Sequence, residues 1–406
     1  MKPNNLVISL FRIFPIFISF AAILFAVGPT VVAQNSVHPR VFLLDLRSAD
    51  WKKLSADPAV VKADREAQSA LNAKVLPIVS RQSIPPSGDK HDYMSQAPYF
   101  WKNPNTANGL PYVKRDGERN PEIEQYPDHG LMDNMIKAVE RLSLGYFLTQ
   151  KEEYAAKAGE ILRMWFLDPA TRMNPNLEYA QAIPGESSGR NFGIIESRGL
   201  TRVVDSVGLL AGSPSWTKAD QAGVEAWFGK FLTWLTDSKS GRQESEAKNN
   251  HGTHYDVQVA SFALFVGNKA LAKKILEEAK QKRIAKQIEP DGRQPLELAR
   301  TKSWDYSTMN LDGLISLARL GENVGVDLWS FQTADGRSIR KAILYLEPFA
   351  RDPKLWTTKQ IVPFQPEKFY SAARRATGHY KDSEFQKMLA SLPKTPEYDR
   401  SRLSGN

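Results

Sequence analysis

Apolar residues recur at helical intervals through most of the chain after residue 128, and this constrains the fold more than any other feature. Leu131, Met135, Val139, Leu142 and Tyr146 step by four, four, three and four, which stacks them on one helix face. Tyr154, Ala158, Ile161, Leu162 and Trp165 repeat the pattern after a short polar turn. Thr217 has Asp220 three residues on, the signature of a capped helix start, and Val224, Trp227, Phe228, Phe231 and Leu235 follow as a buried stripe. The same spacing predicts helices over 254–266, 268–286, 307–320, 337–349 and 382–391. Strand-like alternation is scarce. Consecutive amphipathic helices bury their stripes against one another as stacked hairpins. No fixed repeat length marks a tetratricopeptide or HEAT array. The expected class is all-α; an (α/α) toroid or incomplete barrel of helical hairpins fits better than a solenoid, which periodicity alone does not separate from it.

Two long segments interrupt the helices. Residues 82–129 and 168–199 are rich in Pro, Asn, Gly and aromatics. Connections this long inside a compact domain are either functional or disordered, and their tyrosines and tryptophan argue against disorder.

The first 33 residues do not read as part of the fold. Lys2 and Arg12 precede an apolar run from Ile13 to Gly28, and Val31-Val32-Ala33 resembles a signal-peptidase site. The run is short for a membrane span, which takes about 20 apolar residues. A cleaved signal peptide over 1–33 is the expectation, rather than a retained anchor. Residues 34–406 would then be one catalytic-sized domain, periplasmic or secreted, with no stable membrane association. The chain has no cysteine, so disulfides, thiolate zinc and a cysteine nucleophile are excluded. Its formal net charge is +9, and +7 without the leader's two cations. That balance suits an acidic polymer as partner. No compact Lys/Arg run marks a nucleic-acid surface.

The densest polar cluster is NNHGTHYDVQ, Asn249 to Gln258. As a helix start, Asn249 or Asn250 would cap while Tyr255, Val259 and Phe262 face the core. As a metal site, His251 and His254 would pair, but no Glu lies between them and no third ligand is identifiable. No metal or other cofactor is expected. A third reading uses the downstream stretch ELARTKSWDYS, Glu297 to Ser307, which carries Arg300, Lys302, Trp304 and Tyr306. Arg300 lies forty-nine residues after His251, and Tyr306 fifty-five.

In this Asn-His pair followed by an Arg and a Tyr, the chain resembles the alginate lyase family of polysaccharide lyases. The likeness extends to DYMSQAPYFW (Asp92 to Trp101) and GIIESR (Gly193 to Arg198), and runs from HPRVFLL at His38 onward. The resemblance implies an (α/α) toroid and an acidic polysaccharide substrate, cleaved at a 4-linked uronic acid by β-elimination. It also implies that Asn250, His251, Arg300 and Tyr306 carry the reaction. A proton leaves C5, next to the C6 carboxylate, and the bond to O4 breaks. An ionised carboxylate makes that C–H a very weak acid, so something must stabilise the charge growing beside it. Asn250 suits this, helped by Arg300. A base must reach C5 and an acid O4. An unperturbed tyrosine has a pKa near 10, and Arg300 beside Tyr306 is expected to lower it. One tyrosine can serve both roles when H5 and O4 lie on one side; otherwise His251 is base and Tyr306 acid. Left to the residues alone, Tyr306 also fits a core position, Arg300 a solvated charge and Asn250 a cap.

The long loops are expected to supply sugar subsites. Tyr93, Tyr99, Phe100 and Trp101 can stack on pyranose rings, and Gln96, Arg190 and Arg198 can meet hydroxyls or carboxylates. His254 and Lys302 are expected to join the substrate-binding set. His129 and His379 are unassigned. Gly252-Thr253-His254-Tyr255 departs from the aromatic found after the Asn-His pair in the best-known members. It resembles a divergent branch, some of whose members act on glucuronan or mixed polyuronates. A monomer is expected. Two other readings stand beside this one. A glycoside hydrolase on the same toroid would need two carboxylates across the scissile bond; Asp205, Glu196, Asp256 and Asp305 are candidates, without a recognisable pair. A non-catalytic uronan-binding protein would need only the aromatic loops.

Overall fold

Helical hairpins follow one another from Asp128 as the periodicity requires, in a computed structural model that describes Met1 and residues 40–44, 57–376 and 379–393. The chain divides into Met1–Val37 and His38–Asn406, and every helix and strand named below belongs to the second unit. The expected signal peptide lies, Met1 apart, outside the described residues. No helix among them is long and apolar enough to cross a membrane. In order, the helices are α1 Pro58–Leu71, α2 Asp128–Thr149, α3 Glu152–Phe166, α4 Leu200–Leu209, α5 Lys218–Asp237, α6 Lys239–Ser245 and α7 Asn250–Phe265. Then come α8 Lys269–Ala279, α9 Ala285–Gln287, α10 Pro295–Leu298, α11 Ser303–Glu322, α12 Ile339–Arg351, α13 Glu367–Arg375 and α14 Ser383–Ser391.

Local chemistry sets several of these boundaries. Thr217 and Asp220 form the reciprocal capping box expected at the start of α5. Asp220 also receives Arg163 Nε and Nη2 at 2.8 and 2.7 Å, which ties α3 to α5. Gln150 ends α2 in the left-handed region, at φ 58°, and turns the chain into α3. The helix expected over 268–286 is α8 and α9 joined by a π-helical turn at Lys280–Ile284. Inside that turn Arg283 points inward and is buried.

One continuous core runs through the helices. Phe166, Trp227, Phe228, Phe231, Phe262 and Phe265 form a connected ring cluster among α3, α5 and α7. Burying each such side chain contributes about 1.5–3 kcal/mol. At the centre lies α7, in which every residue except His251 is buried. It packs on α4, α5, α6, α8 and α11. A helix buried all round has no polar face, which is why its apolar stripe is hard to separate from its polar positions in the sequence.

The two long loops are folded onto each other. β1 (Met94–Gln96) pairs in parallel with β4 (Tyr179–Ala182), and β2 (Phe100–Trp101) pairs antiparallel with β3 (Val113–Lys114). A buried ion pair, Arg81 to Asp128 at 3.0 Å, anchors the first loop against the start of α2. The Asp205 carboxylate accepts the backbone N–H groups of Phe42, Leu43 and Leu44 at 2.8–2.9 Å.

Candidate active site

The sequence folds so that α7 begins where the loops meet α11. Asn249 caps α7, its side chain accepting the His251 N–H at 3.3 Å. Two acidic side chains face this positive helix end, where the unpaired N–H groups favour them. Glu297 accepts the Asn250 backbone N–H and the Asn250 Nδ2, both at 2.7 Å. Burial drives the Glu297 pKa up to about 7, against the pull of those two bonds. Glu244, fully buried, lies 2.6 Å from His251 Nδ1 and accepts Asn191 Nδ2 at 2.9 Å. His251 therefore presents its other nitrogen, Nε2, away from Glu244. Its ring edge meets Phe192, centroids 4.8 Å apart. Gly313 lets α11 approach α7 at this level, since a Cβ there would lie 2.8 Å from the Thr253 methyl and 3.3 Å from the His254 ring.

Tyr306 stands in the first turn of α11. Its hydroxyl donates to the Tyr99 hydroxyl at 2.9 Å, and the Arg300 guanidinium lies 3.9 Å from its ring centroid. Arg300 is itself engaged: Asp116 accepts Nη2 at 2.6 Å and Nε at 3.1 Å. Burial opposes the charge on Arg300, but the Asp116 hydrogen bonds hold its pKa above the ordinary value. The expectation that Arg300 lowers the Tyr306 pKa is not met. Burial and the Tyr99 hydroxyl push Tyr306 well above the ordinary tyrosine value, and the downward pull of Arg300 is outweighed. At neutral pH Tyr306 carries its proton.

A cavity of about 770 Å³ opens beside these groups, lined by Tyr99, Arg198, His254, Lys302 and Tyr306 among others. Most charges in its wall are paired, Asp305 with Lys368, Asp312 with Arg375 and Glu140 with Arg202. Arg198 and Lys302 are cations in the wall without a carboxylate in ion-pair contact among the described residues. Arg198 is reached by solvent yet deeply enclosed, and burial lowers its pKa. Lys302 Nζ sits 5.2 Å from the Tyr99 ring centroid. His254 is buried with Nε2 3.1 Å from the Met309 carbonyl, and burial followed by Arg198 lowers its pKa to about 4, so it is neutral. Among the described residues no three His, Asp or Glu side chains gather as a metal site.

The cavity thus brings together Tyr99, Arg198, His254, Lys302 and Tyr306, with Arg300 directly behind Tyr306. Asn250, fully buried on Glu297, and His251, set against Glu244 and Phe192, do not line the cavity wall. Arg190 reaches Gln181 Oε1 at 2.7 Å and lies between the Phe100 and Phe192 rings, 4.9 and 5.0 Å from their centroids. Four other expected subsite residues are placed otherwise, of which Phe100 is buried with Ala97 and Ile183. Tyr93 is fully buried and donates to Glu196 at 2.7 Å, so it supports the site from within and offers no face to a sugar. Gln96 is buried on the opposite side of β1 from Ser95, because strand side chains alternate. It lines a separate cavity of about 440 Å³ with Met94 and Tyr126. Trp101 donates to the Glu118 carbonyl at 3.0 Å under Arg115, outside the main cavity wall.

The carboxylates a hydrolase would need are committed elsewhere. Asp205 holds residues 42–44, Asp256 pairs with buried Arg283 at 2.7 Å, Glu196 accepts Tyr93 and Ser95, and Asp305 binds Lys368. Asp116, Glu244, Glu297 and Phe192 are not singled out by the sequence. Each acts through a partner in another element, and in sequence each looks like an ordinary loop or helix residue.

The profile of the family described as "Alginate lyase" matches residues 79–356. A crystal structure of an alginate lyase from Bacteroides ovatus is 35% identical, with a TM-score of 0.85 over 91% of this chain and 99% of that one. Alginate lyase A1-III from Sphingomonas species A1 shares the fold at 17% identity and TM-score 0.51, over 82% of this chain and 95% of that one. No curated protein matches the sequence. The fold is the (α/α) toroid, and the chain belongs to the alginate lyase family of polysaccharide lyases.

Proposed function

We propose that the protein cleaves 4-linked uronic acid polymers, namely alginate, polymannuronate or glucuronan, by β-elimination. The observation that carries this reading is the company kept by Tyr306. Its protonated hydroxyl opens into a cavity with two cations, Arg198 and Lys302, that have no carboxylate partner among the described residues, while the carboxylates marked for hydrolysis are all engaged. In this reading Arg198 and Lys302 receive substrate carboxylates. Arg300 stabilises the charge that grows at C6, and Asn250 joins it only by exchanging its Nδ2 bond to Glu297 for the substrate carboxylate. Where H5 and O4 lie on opposite faces, His251 Nε2 takes the proton from C5; where they lie on one side, as in mannuronate, the Tyr306 oxygen takes it. The C–H electron pair becomes the C4=C5 double bond, the C4–O4 bond breaks, and Tyr306 gives its proton to O4. The leaving chain is then neutral at O4, and the other product carries a 4,5-unsaturated uronate. The two cations without a carboxylate partner among the described residues, Arg198 and Lys302, and the family both suit an acidic polysaccharide. We further infer an exported, periplasmic or secreted enzyme that acts as a monomer.

Ultraviolet absorbance separates the readings, because elimination creates a conjugated double bond that hydrolysis does not. Polymannuronate, polyguluronate, glucuronan, hyaluronan and pectate should be tried in parallel. Absorbance is expected to rise on a mannuronate or glucuronate polymer. No rise on any of the five would end the lyase reading for these substrates. A fall on pre-formed unsaturated oligosaccharides would instead identify a hydrolase.

Glu244 supplies a second check. If it holds His251 in the tautomer that frees Nε2, Glu244→Gln should lower kcat roughly ten- to a hundredfold, as loss of an outer partner of a functional histidine does. KM should barely change, because Glu244 is buried and does not line the cavity. A loss confined to KM would place Glu244 outside this role.

A further inference from the structure

The loop that carries Tyr99 touches the Tyr306 region twice. Tyr99 meets the Tyr306 hydroxyl from one side. From the other, the turn after β3 lays Asp116 against Arg300 and Thr301. Asp116 accepts Arg300 Nη2 and Nε, and its Oδ2 also accepts the Thr301 N–H at 3.1 Å. Thr301 Oγ1 donates to the Asp116 carbonyl at 2.7 Å. Gly117 permits this approach: its φ is +79°, and a Cβ there would lie 2.3 Å from Thr301 Oγ1. The loop's two contact points are themselves joined, since the Arg115 N–H donates to the Tyr99 carbonyl at 2.8 Å. Asp116 is built into a frame around one tyrosine.

The charged groups near Tyr306 are few. On its own segment are Arg300, Lys302 and Asp305, the last bound to Lys368 of α13 at 3.0 Å. Across the cavity are Arg198, neutral His254, and Glu196, which accepts Tyr93 and Ser95. Behind Arg300 lies Glu297, occupied by Asn250. Among the described residues Asp116 is the carboxylate in hydrogen-bond contact with Arg300. A guanidinium 3.9 Å from the ring pulls toward the phenolate, and Asp116 offsets part of that pull, beside the larger effects of burial and Tyr99.

We propose that Asp116 is a positioning residue acting through Arg300: it clamps the guanidinium over the Tyr306 ring and offsets part of its charge there, adding to the burial and the Tyr99 contact that keep the Tyr306 hydroxyl a donor. The inference rests on the reading of Tyr306 as the proton-transfer group. It adds that a loop carboxylate some 190 residues earlier in sequence tunes that group.

The test is the ionisation of Tyr306 itself, measured without substrate on the full-length protein. Phenolate absorbance is titrated in the wild type and in Asp116→Asn, each against the same protein carrying Tyr306→Phe. The difference isolates Tyr306 from the other tyrosines. In Asp116→Asn the Tyr306 step should fall by about one pH unit or more, the usual size when one of two opposed neighbouring charges is removed. The limb of the pH–rate profile that depends on Tyr306 should move to lower pH by the same amount. Asp116→Glu, which restores the carboxylate, should move both back. If Asp116→Asn does not fold, Asp116→Ser is read in the same way. A Tyr306 step at unchanged pH in a folded Asp116 variant overturns the proposal. That failure is distinct from failure of the functional reading. A shifted step in a protein whose Tyr306→Phe variant remains active would uphold the Asp116 coupling and remove Tyr306 from catalysis.

Discussion

Replacing Tyr306 with phenylalanine should lower kcat by roughly 10²–10⁴-fold, the range for loss of a general acid or base. One oxygen is removed. The ring stays beneath Arg300, whose hydrogen bonds go to Asp116 and do not depend on the phenol. Tyr99 loses a 2.9 Å hydrogen bond, but it lines the cavity, where water can replace the lost partner. Substrate affinity should therefore change little, because Arg198 and Lys302 still meet the carboxylates. The measurement is initial rate by absorbance of the unsaturated product, after circular dichroism has shown unchanged helicity. A folded Tyr306→Phe protein working at near wild-type rate would move the acid to another group, with His251 next in line.

The second large effect is on stability. Arg283 lies in the π turn between α8 and α9 and reaches into the core. It binds Asp256 through Nε at 2.7 Å and Nη2 at 3.0 Å, and donates to the carbonyls of Ala247 and Ser245, both at 2.7 Å. Both side chains of the ion pair are almost wholly buried, at 3% and 5% exposure. Arg283→Ala would leave Asp256 without its cation in the middle of α7, and two carbonyls without their donor. Breaking a buried pair from one side costs about 3–5 kcal/mol, and the urea midpoint should fall accordingly. Activity should drop as well, because residues 245–249 lead directly into Asn250 and His251. Replacing Asp256 and Arg283 together by apolar residues of similar volume should recover much of the loss. A single variant destabilised by less than about 1 kcal/mol would mean that water reaches Asp256.

Much of this architecture is legible in the chain. The stripes of α2, α3 and α5 are strong because their buried positions are large and their exposed positions charged. The capping box at Thr217 marks one boundary closely. α1 escapes sequence reading for the opposite reason: its buried face is Ala59, Val60, Ala63, Ala67 and Ala70, small side chains that give little contrast. α4 escapes it because the helix grows out of a 3-10 stretch, Asn191–Gly199, without a side-chain cap. In the candidate site, the sequence motifs point to Tyr306 and the cavity residues Tyr99, Arg198, His254 and Lys302, and to Arg300 beside Tyr306. They do not lead to the partners of those residues. Arg300 and Asp116 are 184 positions apart, and no local pattern links a carboxylate in a polar turn to a cation that far along. Nor does residue type decide exposure. Tyr93 and Tyr99 sit six apart in one loop, and only Tyr99 faces the cavity, because strand geometry and Glu196 draw Tyr93 inward.

The wholly buried central helix has a consequence for how this enzyme should wear out. α7 carries His251 at its first turn and has neighbours on every side, so its amide protons should be among the slowest to exchange, opening only when the whole domain opens. The Tyr99–Asp116 loop is held by one short strand pair, β2 with β3, and by the contacts of Tyr99 and Asp116 with Tyr306, Arg300 and Thr301, and should exchange through local opening at lower cost. Mild heat or low denaturant should then silence turnover reversibly, by detaching the loop while the helix bearing His251 stays protected. Irreversible inactivation should set in only with global unfolding.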